Sequence, residues 1–276
     1  FGDSNQRKLY HYDANDTNGS LQYLNQIVPN STSNNQANGF GQAFALDGNS
    51  TVVGAKHAYV NNISGAGAIY LFDFNDSNPM QVARITASDG TSSDYLGYSV
   101  DMSGDLIVGG AFGEDIAGNS NSGAAYLFKR EANGTITELG KLIHEDPKSG
   151  DYFGVSIAIE NDIIAVGAHE DDVLVSGSNR SNAGSVTLFK VNGAGNISRT
   201  ATLTAPSPDS YDYFGKAISM AGNFLAIGEY ERTNVYSGAG RVYLYKVNAN
   251  GTTLLTATIN SPNPSSYGYF GYSVDL

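Results

Sequence analysis

Hydrophobic and polar residues alternate along the chain in short runs, and each run follows a step made of Phe or Leu and a glycine. One such run is Gly97-Tyr98-Ser99-Val100-Asp101-Met102. Alternation at a period of two predicts a half-buried β-strand, which we name strand A of a repeat. The step recurs at intervals of 56 to 61 residues, at Phe40-Gly41, Leu96-Gly97, Phe153-Gly154, Phe214-Gly215 and Phe270-Gly271.

After strand A comes a short polar turn and then a continuous apolar run that ends in glycine. This run, at residues 51–54, 106–109, 164–167 and 225–228, predicts strand B, which is buried on both faces. A loop rich in Asn, Ser and acidic residues leads to strand C at residues 68–72, 125–128, 186–189 and 242–245. The more polar residues 137–143, 199–204 and 253–259 predict strand D at the outer edge.

The repeat of four strands predicts an all-β fold, a β-propeller of four-stranded antiparallel blades. Complete blades are expected at residues 40–95, 96–152, 153–213 and 214–269. The remaining segments, 1–39 and 270–276, predict a fifth blade that is completed from both termini. The 276 residues therefore form a single propeller domain in this interpretation.

The split fifth blade has strand C at residues 8–12, strand D at 21–28 and strand A at 270–276. About nine residues, the length of strand B and its turn, are absent between the two ends. Three explanations stay open. The chain is trimmed or partly traced, a neighbouring molecule donates the strand by β-augmentation as in a fibre, or the segment belongs to a ring of six or seven blades.

Composition narrows the classes of partner. The net charge of −12 opposes a phosphate backbone, because nucleic-acid affinity comes largely from cationic side chains. No run approaches the roughly 18 apolar residues of a spanning helix, so no membrane span is expected. The chain has no cysteine, and a chain of this length buries enough surface to fold without disulfides.

The third repeat reads FGVSIAIENDIIAVGAHEDD and, after a loop, AGSVTLFK. It resembles the FG-GAP repeat of integrin α-subunit N-terminal domains and of many secreted or surface proteins, and the resemblance extends over the whole chain. It implies a propeller used in adhesion, in a matrix or in ligand contact. Many such repeats carry a calcium loop, Asp-x-Asp-x-Asp-Gly, between strands A and B. The turns here have three or four residues, which is too short for that loop.

The loops from strand B to C and from strand D to A gather acidic residues on one face. Clustered carboxylates bind Ca²⁺ when six or more oxygens converge. The candidate Ca²⁺ ligands are Glu170, Asp171 and Asp172, three consecutive acids with no adjacent cation. In the competing interpretation these acids are solvated and stabilise tight bends.

Ten Asn-x-Ser/Thr sites are candidates for N-glycosylation, where composition predicts about four. Five of them fall in the turn between strands C and D, one in each blade: Asn18, Asn75, Asn133, Asn196 and Asn250. The others are Asn15, Asn30, Asn49, Asn62 and Asn179. A hairpin turn also favours Asn and Gly, and the strand after it favours Thr or Ser. The motifs are therefore equally consistent with turn formation alone, without glycosylation.

No nucleophile elbow, phosphate loop, helical zinc pair or cysteine nucleophile occurs in the sequence. We therefore expect a non-catalytic extracellular or cell-surface module, used in adhesion or a matrix or as a glycosylated subunit of a surface filament. Its partners would be other proteins or copies of itself.

The alternative function is a lectin-like propeller that binds carbohydrate. Tyrosines near the connections from strand D to A could stack on sugar rings, although packing between neighbouring blades is the expected role. They are Tyr95, Tyr152, Tyr211, Tyr213, Tyr267 and Tyr269. A glycosidase with paired carboxylates in an acidic ring mouth is a third, weaker alternative.

Overall fold

The computed structural model describes residues 2–3, 8–13, 22–30, 35–75, 78–233 and 236–276. The regular secondary structure of these residues consists of β-strands, which confirms the all-β prediction. In this part of the chain no helix is long and apolar enough to cross a membrane.

Four antiparallel sheets of four strands form the complete blades, and a three-stranded sheet lies at the N-terminus. The N-terminal sheet contains β1 (Gly2–Asp3), β2 (Lys8–Asp13) and β3 (Gln22–Ile27). The first blade contains β4 (Phe40–Asp47), β5 (Ser50–Ala55), β6 (Ala68–Asn75) and β7 (Asn78–Ile85). The second contains β8 (Val100–Ser103), β9 (Leu106–Ala111), β10 (Ala124–Arg130) and β11 (Ile136–Leu142).

The third blade contains an additional hairpin in the loop between its strands B and C. Its four sheet strands are β12 (Ser156–Glu160), β13 (Ile163–Ala168), β16 (Ser185–Val191) and β17 (Ile197–Leu203). The hairpin is formed by β14 (Val173–Val175) and β15 (Ser178–Arg180). The fourth blade contains β18 (Ile218–Ala221), β19 (Phe224–Glu229), β20 (Arg241–Val247) and β21 (Thr253–Asn260). Each blade has the predicted strand order A, B, C, D.

The N-terminal sheet is the fifth blade. Between strands C and D of every blade the register shifts at the same place, where a β-bulge adds a residue to strand D. The shift follows Leu71, Leu127, Leu188 and Leu244 in the complete blades. Between β2 and β3 it follows His11, so these strands are the predicted strands C and D of the split blade.

A channel of about 350 Å³ lies where strands A of the five repeats converge. Its wall includes Ala43, Ser99, Ser156, Ala217 and Ser273. Because each of these residues belongs to a different repeat, the chain forms a five-bladed ring, and the C-terminal segment occupies the strand A position of the fifth blade.

The sequence predicted a regular strand at residues 270–276, and this detail is wrong. Phe270 forms an isolated bridge with Gly240, but residues 272–276 have no strand ladder. A strand needs a hydrogen-bonded neighbour, and the short β1 pairs with β2 among the described residues. The segment is held instead by the fourth blade, where the Leu276 amide donates to Ser219 Oγ at 3.2 Å.

The glycines of the repeat form a joint between neighbouring blades, which we call the glycine joint. A Cβ added to the strand B glycine would overlap the carbonyl oxygen of the next Phe-Gly or Leu-Gly step. The pairs are Gly54 with Gly97, Gly110 with Gly154, Gly167 with Gly215, and Gly228 with Gly271. In the second blade the joint lies at Gly110, one residue beyond the glycine that closes the predicted run.

Apolar side chains fill the space between blades. Leu127 of the second blade packs with Phe153 and Val166 of the third, and all three are fully buried. Burial of such a side chain contributes about 1.5–3 kcal/mol to stability. Strands B and C carry most of these residues, which explains their continuous hydrophobic runs.

Candidate functional site

The connections from strand B to C and from strand D to A emerge on the same face of the ring, because successive strands in a blade are antiparallel. Backbone hydrogen bonds join the two loops of a blade. The Tyr211 amide donates to the Ser181 carbonyl at 2.8 Å, and the Tyr213 amide donates to the Asn182 carbonyl at 3.2 Å. We call this surface the belt face and the opposite surface, with the turns from A to B and C to D, the turn face.

A residue with left-handed backbone precedes the Phe-Gly or Leu-Gly step in every repeat. In four repeats it is a tyrosine, namely Tyr95, Tyr152, Tyr213 or Tyr269, with φ between 50° and 62°. In the first repeat it is Gly39, with φ 77°. A side chain in this region costs about 1–2 kcal/mol, which glycine avoids. The loop conformation thus requires a positive φ, and four repeats nevertheless carry a tyrosine there.

These tyrosines form a continuous row of ring contacts, which we call the aromatic belt. Successive ring centroids lie 5.2 to 5.9 Å apart. The order of the rings is His57, Tyr95, Phe112, Tyr152, His169, Tyr213, Tyr230 and Tyr269. The expectation that the loop tyrosines pack between blades therefore holds for Tyr95, Tyr152, Tyr213 and Tyr269.

The belt is electrically neutral at its centre. Burial, together with a smaller effect of the positive charge of Lys216, lowers the pKa of His169 to about 3, so the imidazole is uncharged at neutral pH. Its ring lies 5.9 Å from Tyr152 on one side and 5.9 Å from Tyr213 on the other. An uncharged ring packs between two phenols at a smaller desolvation cost than an imidazolium, and its Nδ1 is buried without a hydrogen-bond partner.

Two further tyrosines on this face project into solvent. Tyr211 is 57% exposed and Tyr267 is 64% exposed, and both have positive φ. Each lies two residues before a belt tyrosine and contacts its ring, Tyr211 with Tyr213 and Tyr267 with Tyr269. They extend the belt outward as accessible aromatic surface.

The three predicted Ca²⁺ ligands do not converge on one point. Glu170 accepts a hydrogen bond from Asn182 Nδ2 at 3.2 Å, and Asp172 accepts one from the Asn182 amide at 2.9 Å. Asp171 is buried and lies beside His144, with Oδ2 at 3.5 Å from Nε2. The loop therefore directs Asp171 inward, whereas Glu170 and Asp172 hold the loop itself.

Most glycosylation candidates that the structure describes are exposed. The exposed ones are Asn30, Asn49, Asn62, Asn133, Asn179, Asn196 and Asn250. Asn15 and Asn18 lie outside the described residues, as does the side chain of Asn75. At Asn133 and Asn250 the amide oxygen accepts a hydrogen bond from the hydroxyl of the Thr two residues later, at 2.7 Å in both. Asn49 differs, because its Nδ2 donates to the Phe74 carbonyl.

Sequence reasoning missed the belt as a connected feature. A tyrosine before the glycine step in four repeats was the available signal, but its left-handed backbone is visible only in the structure. Phe112, His169 and Tyr230 belong to loops whose sequences differ, so nothing marked them as equivalent. They nevertheless occupy the same place, two residues after the joint glycines Gly110, Gly167 and Gly228.

Comparison with known proteins agrees with the fold. A family model described as FG-GAP repeat matches residues 79–128, 136–189 and 197–245, together more than half of the chain. No curated protein matches. A crystal structure of a protein from Lactobacillus plantarum is similar with a TM-score of 0.55 and 13% sequence identity. The match covers 92% of this chain and 63% of that one, so this chain spans less than two thirds of that protein. At this identity the similarity concerns the fold alone.

Proposed function

The chain belongs to the FG-GAP repeat family, and from this premise we propose that it is a non-catalytic extracellular module that binds a partner protein through its belt face. Adhesion or matrix contact is the role that this surface fits. The main observation behind the proposal is that four repeats have a tyrosine at a position with a positive φ, which is a strained backbone conformation for a residue other than glycine. Strain of this kind concentrates at functional sites, where the surrounding structure holds it in place.

The chemistry of the face supports protein contact. Tyrosine is enriched at the centres of protein interfaces because it presents a large, rigid and amphipathic surface. Exposed Tyr211 and Tyr267 provide such a surface, and the net charge of −12 favours partners with basic rims. Glycans at the exposed candidates Asn133 and Asn250 of the turn face would leave the belt face accessible, whereas Asn62 and Asn179 lie in loops of the belt face, where a glycan would cover part of it.

Site-specific cross-linking tests the proposal. A photoreactive phenylalanine analogue would replace Tyr211 or Tyr267, and a matched variant would carry it at Ala132, an exposed position on the turn face. The samples would be irradiated with extracellular material from the source. We expect cross-links to one partner protein from both belt positions and none from Ala132. Equal cross-linking from all three positions would contradict a binding role for the belt face.

The exposed tyrosines also favour the second candidate function, carbohydrate binding, since aromatic rings stack on sugars. Binding to a glycan array distinguishes carbohydrate binding from binding to a partner protein. Specific binding of one glycan class that is lost in Tyr267→Ala would replace the proposal with the lectin-like function. The proposal also includes a filament subunit, whose partner is another copy of the chain. Electron microscopy of the native protein tests this form of the proposal, because filaments would identify copies of the chain as the partner.

A further inference from the structure

Three buried side chains from two loops meet in the third blade, near the belt face. His144 follows β11, Asp151 lies in the connection to the next strand A, and Asp171 lies in the loop after β13. One potential ligand atom from each lies within 4.8 Å of the other two. All three residues are buried, so their charges are poorly solvated.

The imidazole of His144 is oriented for metal coordination. Its side chain is 9% exposed, and Nε2 is buried without a hydrogen-bond partner, 3.5 Å from Asp171 Oδ2. Nδ1 lies 3.1 Å from the carbonyl oxygen of Asp146 and 3.3 Å from its amide nitrogen. In one tautomer Nδ1 accepts from this amide, and in the other, which frees Nε2 for a metal, it donates to the carbonyl. Metal-bound histidines use their second nitrogen in this latter way, and the Nε2 lone pair then faces the carboxylates.

The two neighbouring blades provide a cation at the corresponding position. In the fourth blade the residue four positions after the joint glycine is Arg232, whose Nη1 lies 2.8 Å from Asp212 Oδ2. In the second blade it is Glu114, and Lys141 lies 2.8 Å from its Oε1. In both blades a fixed cationic side chain compensates a buried acid.

The third blade has no lysine or arginine in this position, and His144 lies there beside Asp171 instead. There the corresponding residue is Asp171, another acid, which faces Asp151. The ammonium of Lys148 is paired with Asp146 at 3.2 Å and acts on the two buried carboxyls only by longer-range attraction. Two buried carboxyl groups therefore share this place with one imidazole. A bound cation would compensate the charge of these carboxyl groups.

From this arrangement we propose that His144 Nε2 and the carboxylates of Asp151 and Asp171 bind one Zn²⁺ ion. Zinc accepts imidazole nitrogen and carboxylate oxygen at about 2.0–2.2 Å, so adjacent tetrahedral ligands lie about 3.3–3.6 Å apart. The Nε2 to Oδ2 distance of 3.5 Å fits this value. Ca²⁺ fits less well, because it takes 6–8 oxygen ligands and disfavours imidazole. The fourth zinc position is available to water.

The site has a mechanical role. Its ligands come from the connection between β11 of the second blade and β12 of the third and from the loop after strand B of the third blade. One ion therefore fastens the inter-blade connection to the third blade, near the glycine joint between Gly110 and Gly154. The site lies outside the turns between strands A and B and differs from the predicted Ca²⁺ ligands, of which it uses only Asp171.

Direct binding measurements test the site. The full chain would be dialysed against a chelator and titrated with ZnCl₂ by calorimetry, and Co²⁺ would be added as a spectroscopic substitute. We expect one ion per chain, a visible absorption of tetrahedral Co²⁺ and a higher melting temperature with Zn²⁺. Asp171→Asn and His144→Gln should each weaken Zn²⁺ binding by at least about tenfold.

Matched controls keep the test decisive. Glu145→Gln changes an exposed acid beside His144, and His57→Gln changes a histidine of the first blade. Both variants should bind Zn²⁺ as the unmodified chain does. Circular dichroism would verify that every variant is folded. The proposal is overturned if the folded, unmodified chain binds no Zn²⁺, if Ca²⁺ alone raises its melting temperature, or if Asp171→Asn leaves Zn²⁺ binding unchanged. Absence of binding would leave the contact between His144 and Asp171 with a structural role alone.

Discussion

Single residues determine how the blades meet. At each glycine joint the carbonyl of one glycine lies against the Cα of another, so the contact excludes every side chain. The amide of the same step glycine also bonds within its own blade, as in Gly154 to the Gly167 carbonyl at 2.9 Å. The glycines that define the repeat in the sequence are therefore explained by close approach of backbones.

A methyl group at the joint tests this account. In Gly167→Ala the new Cβ would overlap Gly215 O and Ser156 Oγ, so the third and fourth blades must separate. We expect the free energy of unfolding to fall by about 2–3 kcal/mol. Urea denaturation measures it. Gly193→Ala is the control, since its Cβ would meet open space and its φ is ordinary. A loss of equal size in both variants would contradict the joint.

Glu229 predicts a pH dependence of stability. It is fully buried, Oε1 has no hydrogen-bond partner, and Oε2 accepts from the Tyr243 hydroxyl at 3.0 Å. Burial, with the charge of Asp212, raises the pKa of Glu229 well above its ordinary value. Its stabilising contribution is complete below the unfolded pKa of about 4.3. It is lost as pH rises towards the folded pKa, by on the order of 1 kcal/mol per pH unit.

Glu229→Gln isolates this effect, because the amide is neutral at every pH. We expect this variant to be more stable than the unmodified chain at pH 8 and similar to it at pH 4, measured by urea denaturation across that range. Glu145→Gln is the control, since its side chain is 72% exposed. If both variants have the same free energy of unfolding as the unmodified chain at every pH, the prediction is wrong and Glu229 is charged in the folded protein.

At the scale of elements, periodicity predicted strands A to D well because each face of a blade is either buried or exposed. Strands β2 and β3 were also predicted, although their blade is split. One predicted strand is absent, and two features were not foreseen. Residues 272–276 alternate correctly but lack a paired neighbour, the hairpin β14–β15 lies within a loop, and the bulge in strand D depends on pairing, which periodicity does not report.

Strand position predicts the order of hydrogen exchange. Strand β9 is buried and lies between β8 and β10, whereas β11 pairs only with β10 at the outer edge. Among amides that bond to a neighbouring strand, we expect those of β9 to exchange at least about tenfold more slowly than those of β11. Mass-spectrometric exchange measures both, and β13 against β17 repeats the comparison. Equal rates in both pairs would show that each blade opens as one unit.

At the scale of the whole molecule, the two faces of the ring have different chemistry. The alternation of loops allowed the acidic face and the opposite turns to be predicted from the sequence. The aromatic belt and the cluster at His144 could not be predicted, because their members belong to different loops and meet only when neighbouring blades pack together.

Glycosylation of the turn face is the prediction at this scale. We expect native protein from a eukaryotic secretory pathway to carry N-glycans at Asn133 and Asn250, which are exposed and contact the hydroxyl of the following Thr. Asn49 should be modified less, because its amide nitrogen donates to Phe74. Intact-mass analysis before and after enzymatic deglycosylation, with peptide mapping, measures each site. If Asn133 and Asn250 are both unmodified, the Asn-x-Thr motifs serve only to form the hairpin turns.

The glycine joint has a consequence for how such rings diversify. Since backbone meets backbone there, the angle between consecutive blades does not depend on the residues that face solvent. Substitutions in the loops can therefore accumulate in one repeat without altering the symmetry of the others. A lineage that gains or loses a blade, in contrast, must change the angular step at every joint at once, and this constraint favours a constant blade number while the exposed surfaces evolve freely.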